Sequence, residues 1–277
     1  MKINGIPQLD LYKKTSVNID YMSISRPRMK GKDYKNDGQS IGWEVVPDYF
    51  DFCIKNRIKP QTISPRAPFN RAISWGGVAI LWHSENDGVL VEIAGGACST
   101  LGSDYLIGLI NAGEKITRID IALDIETQET PFDACQIAKA RTTSQFVTET
   151  GTTLYFGSMK SDIYTRVYRY NSPHPRSNLL RFETVYRRKS LPTVLKYITE
   201  GKMMDLVATR ASKLAFSPAG VNWEYTPVER IFTPEIKENN TVMWFKKQVS
   251  PAFRRLYESG VIDDPIAWLE EIFLKNL

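Results

Sequence analysis

Three short runs hold residue types that can do chemistry. In TRIDIALDI (Thr117–Ile125) the alternation is strict. Arg118, Asp120, Ala122 and Asp124 fall on one face of a strand, and Ile119, Ile121, Leu123 and Ile125 on the other. Two aspartates about 7 Å apart with only an alanine between them leave room for a group above the alanine. Oxygen donors of this kind suit a hard cation such as Mg²⁺ or Mn²⁺. The same face also reads as a solvated one on which Arg118 neutralises an aspartate. In LLRFETVYRR (179–188) Arg181, Glu183, Val185 and Arg187 share one side, so a third acid sits in mid-strand. Acids are depleted in strand interiors, and a cation shared by Asp120, Asp124 and Glu183 is an economical reason for three of them.

The third run, SDIYTRVYRY (161–170), sets Asp162, Tyr164, Arg166, Tyr168 and Tyr170 on one face and Ile163, Thr165, Val167 and Arg169 on the other. It lies in a basic stretch. Between Gly157 and Ser190, Lys160, Arg166, Arg169, Arg176, Arg181, Arg187, Arg188 and Lys189 face only Asp162 and Glu183 as opposing charges. Such a run is either a solvated face or a track for a phosphate backbone. The interleaved tyrosines suit base stacking as well as phosphate contact.

Composition bounds the rest. A chain of 277 residues with a net charge of +5 is long enough for a well-buried core and too mildly basic to name a partner. Cys53, Cys98 and Cys135 are far apart and in no paired arrangement, so they read as buried hydrophobes. His83 and His174 are isolated, which leaves any metal to carboxylates. No apolar run is long enough for a membrane span, and the amino terminus has no hydrophobic leader. The cytoplasm is the expected compartment.

These groups need strands to hold them. VNIDYMSIS (17–25) reads as a first strand, followed by a basic loop up to about Gly42 and a helix over 47–57 that opens on Pro47. AISWGGVAILWH (72–83) and GVLVEIAG (88–95) read as a strand pair. Helices are predicted over 103–111, 131–141 and 191–201, with strands at 115–125, 153–157, 163–170 and 179–188. IDYMS (19–23) echoes IDIAL (119–123), and each precedes a helix and then strand-rich sequence. The expectation is therefore an α+β fold with a mainly antiparallel central sheet, built from two duplicated strand–helix–strand units over about 1–113 and 114–230. In that pattern the first unit is scaffold and the second carries the site. Residues 231–277, with Ser250–Pro251 and Asp264–Pro265 as helix starts, read as a helical carboxy-terminal segment in which Trp268, Leu269, Ile272 and Phe273 pack.

Taken in order, TRIDIALD (117–124), LYFGSMKSDIYTRVYRY (154–170) and LLRFETVYRR (179–188) resemble the replication initiation factor (Rep_trans) family. The segment GGVAILWHSENDGVLVEIAGGACSTLG is similar to the Gly-rich stretch of its phage members. The family contains initiators of rolling-circle plasmids and filamentous phages, and related conjugative relaxases. The resemblance implies a metal-dependent, site-specific DNA nickase with a tyrosine nucleophile. It matches the nucleophile to Tyr168 in Arg166-Val167-Tyr168, and the acidic positions to Asp120, Asp124 and Glu183. Plasmid members usually carry a lysine two residues after the tyrosine, where this chain has Tyr170.

In that reading Tyr168 forms a 5′-phosphotyrosine and frees a 3′-hydroxyl primer, while Arg166 and Arg181 neutralise phosphate oxygens. Mg²⁺ or Mn²⁺ would offset developing charge. Lys160, Tyr164, Arg169, Tyr170, Arg176, Arg187 and Arg188 would contact DNA. Implied partners are origin DNA (single-stranded or melted), a host helicase and a second copy of the chain. The alternatives are a conjugative relaxase with the same chemistry and a non-catalytic single-stranded nucleic-acid-binding protein.

Overall fold

The computed structural model describes residues 15–26, 37–83, 88–135, 143–148, 151–169, 178–218, 221, 223, 225–228, 250–264 and 267–268. The chain divides into two compact units, residues 1–231 and 232–277. Among the described residues no helix is long and apolar enough to cross a membrane.

The larger unit is α+β, organised on a ten-stranded antiparallel sheet. In chain order its strands are β1 (Thr15–Arg26), β2 (Gln61–Thr62), β3 (Arg71–Trp75), β4 (Val78–Trp82), β5 (Val89–Ala94), β6 (Ile116–Glu126), β7 (Thr143–Thr148), β8 (Gly151–Phe156), β9 (Ile163–Arg169) and β10 (Leu179–Arg187). Across the sheet they lie β2-β3-β4-β5-β1-β6-β10-β9-β8-β7. Two long strands, β1 and β6, form the centre, and the order outward from them is the same on both sides. The first half runs one long strand, two helices, a four-strand meander and two helices, and the second half repeats this order with the single short helix α5 after its long strand.

The helices follow from apolar periodicity. They are α1 (Asp37–Val45), α2 (Pro47–Lys55), α3 (Gly96–Leu101), α4 (Ser103–Asn111), α5 (Pro131–Ala134), α6 (Leu191–Thr199) and α7 (Met203–Lys213), with α8 (Ser250–Glu258) in the smaller unit. Ile119, Ile121, Leu123 and Ile125 of β6, with Ile19, Met22 and Ile24 of β1, form one core with Leu106 of α4, Val194 and Ile198 of α6, and Leu206 and Val207 of α7. The helices thus cover the aliphatic face of the sheet. The other face carries the polar partners of the alternation.

Four expectations change. Residues 37–45, expected in a loop, are helix α1, and Met203–Lys213 is a helix that the expected element set lacked. The run 72–83 is not one strand. Gly76 and Gly77 form a two-residue turn with φ of +61° and +104°, splitting it into β3 and β4. A Cβ at Gly76 would meet Cys53 Sγ and Tyr49 Oη at 3.0 Å, so packing as well as backbone demands glycine there. The helix expected over 131–141 ends at Ala134, and Cys135 is extended and bridged to Phe216. Pairing to the α7 end wins over helical propensity. The remainder of that run, 136–141, lies outside the described residues, as do Leu269, Ile272 and Phe273. Trp268 packs on Phe253, with ring centroids 5.2 Å apart.

Candidate active site

Strand register assembles the three chemical runs. β6 and β9 both pair with β10, so Asp124, Arg181 and Tyr168 stand in one cross-strand row, and Ala122, Glu183 and Arg166 in the next. Asp120, Val185 and Tyr164 make a third. All nine lie on the face away from the helices, because period-two alternation commits Ile121, Phe182 and Val167 to the core.

Glu183 is the centre. It is fully buried, accepts the Tyr168 hydroxyl at 2.9 Å, and is ion-paired to Arg166. The Arg166 guanidinium lies 5.7 Å from the Tyr168 ring centroid, and its Nε is buried without a hydrogen-bond partner among the described residues. Arg181, 5 % exposed, spends its fork on two acids. Nε and one terminal nitrogen donate to Asp124 at 2.6 and 2.7 Å, and the other terminal nitrogen donates to Asp20 at 2.8 Å. Arg118 donates to buried Asp120 through Nε at 2.7 Å. Burial pushes the Asp120 carboxyl up to about 6 against the opposing pull of Arg118. Asp20 is raised in the same direction by burial.

Around Glu183 the face therefore sets four carboxylates (Asp20, Asp120, Asp124, Glu183) against the three guanidinium groups that bind them (Arg118, Arg166, Arg181). Each carboxylate is bound by an arginine. Asp120, Asp124 and Glu183 are brought to one face as expected, but they do not meet as ligands. Among the described residues no group of three His, Cys, Asp or Glu side chains is placed to hold a metal ion. The donor set is of the right chemistry and is occupied by guanidinium groups, so this arrangement does not fit Mg²⁺ or Mn²⁺.

The residues expected to touch DNA are scattered. Tyr164 is buried beneath the Arg187 guanidinium, 5.3 Å from its ring centroid, and Arg187 also donates to the Met159 carbonyl. Arg188 pairs with Asp162. Arg169 points to the opposite face from Tyr168 and donates to the Glu129 carbonyl and to Gln128. Lys160 is exposed in the β8–β9 turn. Tyr170 and Arg176 lie outside the described residues.

Two features escaped sequence reasoning. Asp20 comes from the half expected to be scaffold. A register shift between Ile19 and Tyr21, a β-bulge, lets Asp20 reach across to Arg181 while Ile19 stays in the core. The echo of IDYMS and IDIAL, which aligns Asp20 with Asp120, was the available signal. The second is a polar group beside the first. The Tyr21 hydroxyl donates to Glu92, Arg66 is ion-paired to Glu92, and Arg118 lies 4.2 Å above the Tyr21 ring centroid. Burial and Glu92 drive the Tyr21 phenol well above its ordinary value.

No family model matches this sequence, and no curated protein matches it. Among solved structures the chain is similar to a rolling circle replication initiator protein from Geobacillus stearothermophilus, at 17 % identity and a TM-score of 0.52. The match covers 79 % of this chain and 94 % of that one. At this identity the likeness is one of fold.

Proposed function

We propose that the chain is a rolling-circle replication initiator that nicks and rejoins DNA through Tyr168. The observation that carries this reading is the Tyr168 hydroxyl donating to Glu183 at 2.9 Å, with Arg166 and Arg181 beside it. The fold likeness to a solved initiator supports it. A free phenol ionises near pH ~10, so attack at neutral pH needs a proton acceptor and positive charge nearby. Glu183 is in place to take the proton. Tyr168 Oη would then bond to phosphorus as the P–O3′ bond breaks, and the departing 3′-oxygen would take a proton from water. The products are a 5′-phosphotyrosine and a 3′-hydroxyl. The reverse attack by a 3′-hydroxyl restores the diester and the phenol.

The arginines supply the charge. The orphan Nε of Arg166 is a ready donor to a non-bridging oxygen. A scissile phosphate would also compete with Glu183 and Asp124 for the Arg166 and Arg181 forks. A divalent cation would reach those carboxylates only as guanidinium groups left them.

The test is covalent trapping. Protein incubated with Mn²⁺ and supercoiled DNA carrying its own replicon's origin should give a protein–DNA adduct that Tyr168→Phe lacks. An adduct that survives in Tyr168→Phe would overturn the assignment. Absence of any adduct, with DNA binding intact, would favour the non-catalytic binding reading.

A further inference from the structure

Single exposed apolar side chains are ordinary on a protein surface, so position is what sets one of them apart. Strand β7 is the edge of the sheet, beyond β8 and β9. Its Phe146 pairs with Thr153 of β8, and Thr153 pairs with Tyr168 of β9. Phe146 thus stands in the cross-strand row of Tyr168, Arg181 and Asp124. Tyr155 of β8 pairs with Arg166 and stands in the row of Glu183. Alternation fixes their side. Leu154 and Phe156, which flank Tyr155, are buried with Val167 in the core, so Tyr155 and Phe146 point to the same open face as Tyr168. Their rings meet edge to face with centroids 5.2 Å apart, and Phe146 is 50 % exposed.

We propose that Phe146 and Tyr155 form a stacking platform for an unpaired base beside the phosphate that Tyr168 attacks. This rests on the nicking reading of the Tyr168 site and deepens it. The two flanks of Tyr168 differ in chemistry. Toward the centre of the sheet its neighbours are Arg181 and Asp124, already paired with each other. Toward the edge the same face offers Thr153, Tyr155, Ser144 and Phe146, none of them charged. A nucleotide has a charged part and a flat apolar part. With the phosphate over Arg166 and Tyr168, the uncharged flank is the surface that suits the flat part. The reach is short. Tyr155 is one strand spacing from Arg166, and Phe146 is two spacings from Tyr168, about 10 Å at ~4.8 Å each. A ring face meets the π face of any base, so the platform holds the strand without reading its sequence. It also favours unpaired DNA, because the bases of a duplex are already stacked on one another.

The test reads fluorescence anisotropy on three probes: a mixed-sequence single strand of about ten nucleotides, an abasic strand of the same length, and the matching duplex. Phe146→Ala should weaken binding of the natural single strand roughly 5- to 50-fold. Its affinity for the abasic strand and the duplex should change less than about twofold, and the salt slope should stay as in the wild type, because stacking releases no counter-ions. Phe146→Leu keeps the apolar bulk without the π face and should lose nearly as much, whereas Phe146→Tyr should bind as the wild type does. Val147→Ala, on the opposite face of the same edge strand and 67 % exposed, controls for disturbance of the edge and should change binding less than about twofold. A strand carrying 5-iodouracil, irradiated in the complex, should cross-link to Phe146 or Tyr155. If Phe146→Ala melts early, Phe146→Leu and the cross-link decide. Unchanged single-strand affinity in both variants, an equal loss on the abasic strand, or cross-links confined to other residues would overturn the inference alone. So would loss of self-association with strand binding intact, which would assign the pair to a second copy of the chain. Wild-type protein that bound none of the three probes would overturn the nucleic-acid reading as well.

Discussion

Each half of the sheet holds a tyrosine whose hydroxyl donates to a glutamate that also receives an arginine, and the surroundings of the two trios differ. In the second half Tyr168 and Arg166 come from one strand, Glu183 from its neighbour, and Arg181 stands beside the tyrosine in the same cross-strand row. In the first half Arg66 reaches Glu92 from a loop, its side chain is 57 % exposed, and Arg118 covers the Tyr21 ring. The Tyr21 phenol is pushed up out of reach of neutral pH. The same three residue types in contact thus sit in two different electrostatic settings, and the proposed chemistry is assigned to the second half. Two guanidinium groups stand near each hydroxyl, and their placement differs: Arg166 and Arg181 project from the paired strands β9 and β10, whereas Arg66 comes from an exposed loop and Arg118 lies over the Tyr21 ring.

The sharpest way to break this comparison is to remove each hydroxyl. Tyr168→Phe should lower adduct formation by more than ~10³-fold, while Tyr21→Phe should retain it within about threefold. Equal losses would make the two trios one functional unit. Removing the glutamates comes next. Glu183→Gln leaves Arg166 partly buried without its counter-ion and should cost about 2–3 kcal/mol in urea unfolding. Glu92→Gln should cost less than about 1 kcal/mol, since solvent screens Arg66.

A smaller effect concerns cations. If guanidinium groups occupy the carboxylates, DNA-free protein should bind Mn²⁺ weakly, and Arg181→Gln should tighten binding about tenfold by electron paramagnetic resonance. Tight binding by the wild type, unchanged in the variant, would show that the arginines do not compete. The smallest effect is a pH slope. Asp120 is raised to about 6 in the folded protein, so the folded state holds its proton over a range where the unfolded chain has released it. Its contribution to stability is present below the ordinary carboxylate value and is lost as pH rises from about 4 to 6. Asp120→Asn should remove a slope on the order of 1 kcal/mol over that window, read by urea unfolding at the two ends.

The strands that hold the chemistry were legible because their period is two. TRIDIALDI and LLRFETVYRR each commit one face to Ile, Leu or Phe, and burial then determines where the acids point. The polar face of SDIYTRVYRY was equally readable. Helix α1 was not, because the residues around Asp37–Val45 mix polar groups and glycine, and its helicity depends on packing against β4 and β5. The Gly76–Gly77 turn was in plain view, but the long apolar run around it read as one strand.

What the sequence determined by itself is the content of each face: which residues can sit beside one another along a strand, and that three acids and a row of tyrosines and arginines share the polar side. Local alternation depends on nearest neighbours, so it survives without knowledge of the fold. Only the tertiary structure decided the pairing between faces. Register put Glu183 beneath Tyr168, a bulge in β1 delivered Asp20 to Arg181, and arginines rather than one another became the partners of the acids. It also showed which cations are already spent in ion pairs. Ion pairing joins residues far apart in the chain, and a charge becomes available only when the folded neighbourhood has left it without a partner.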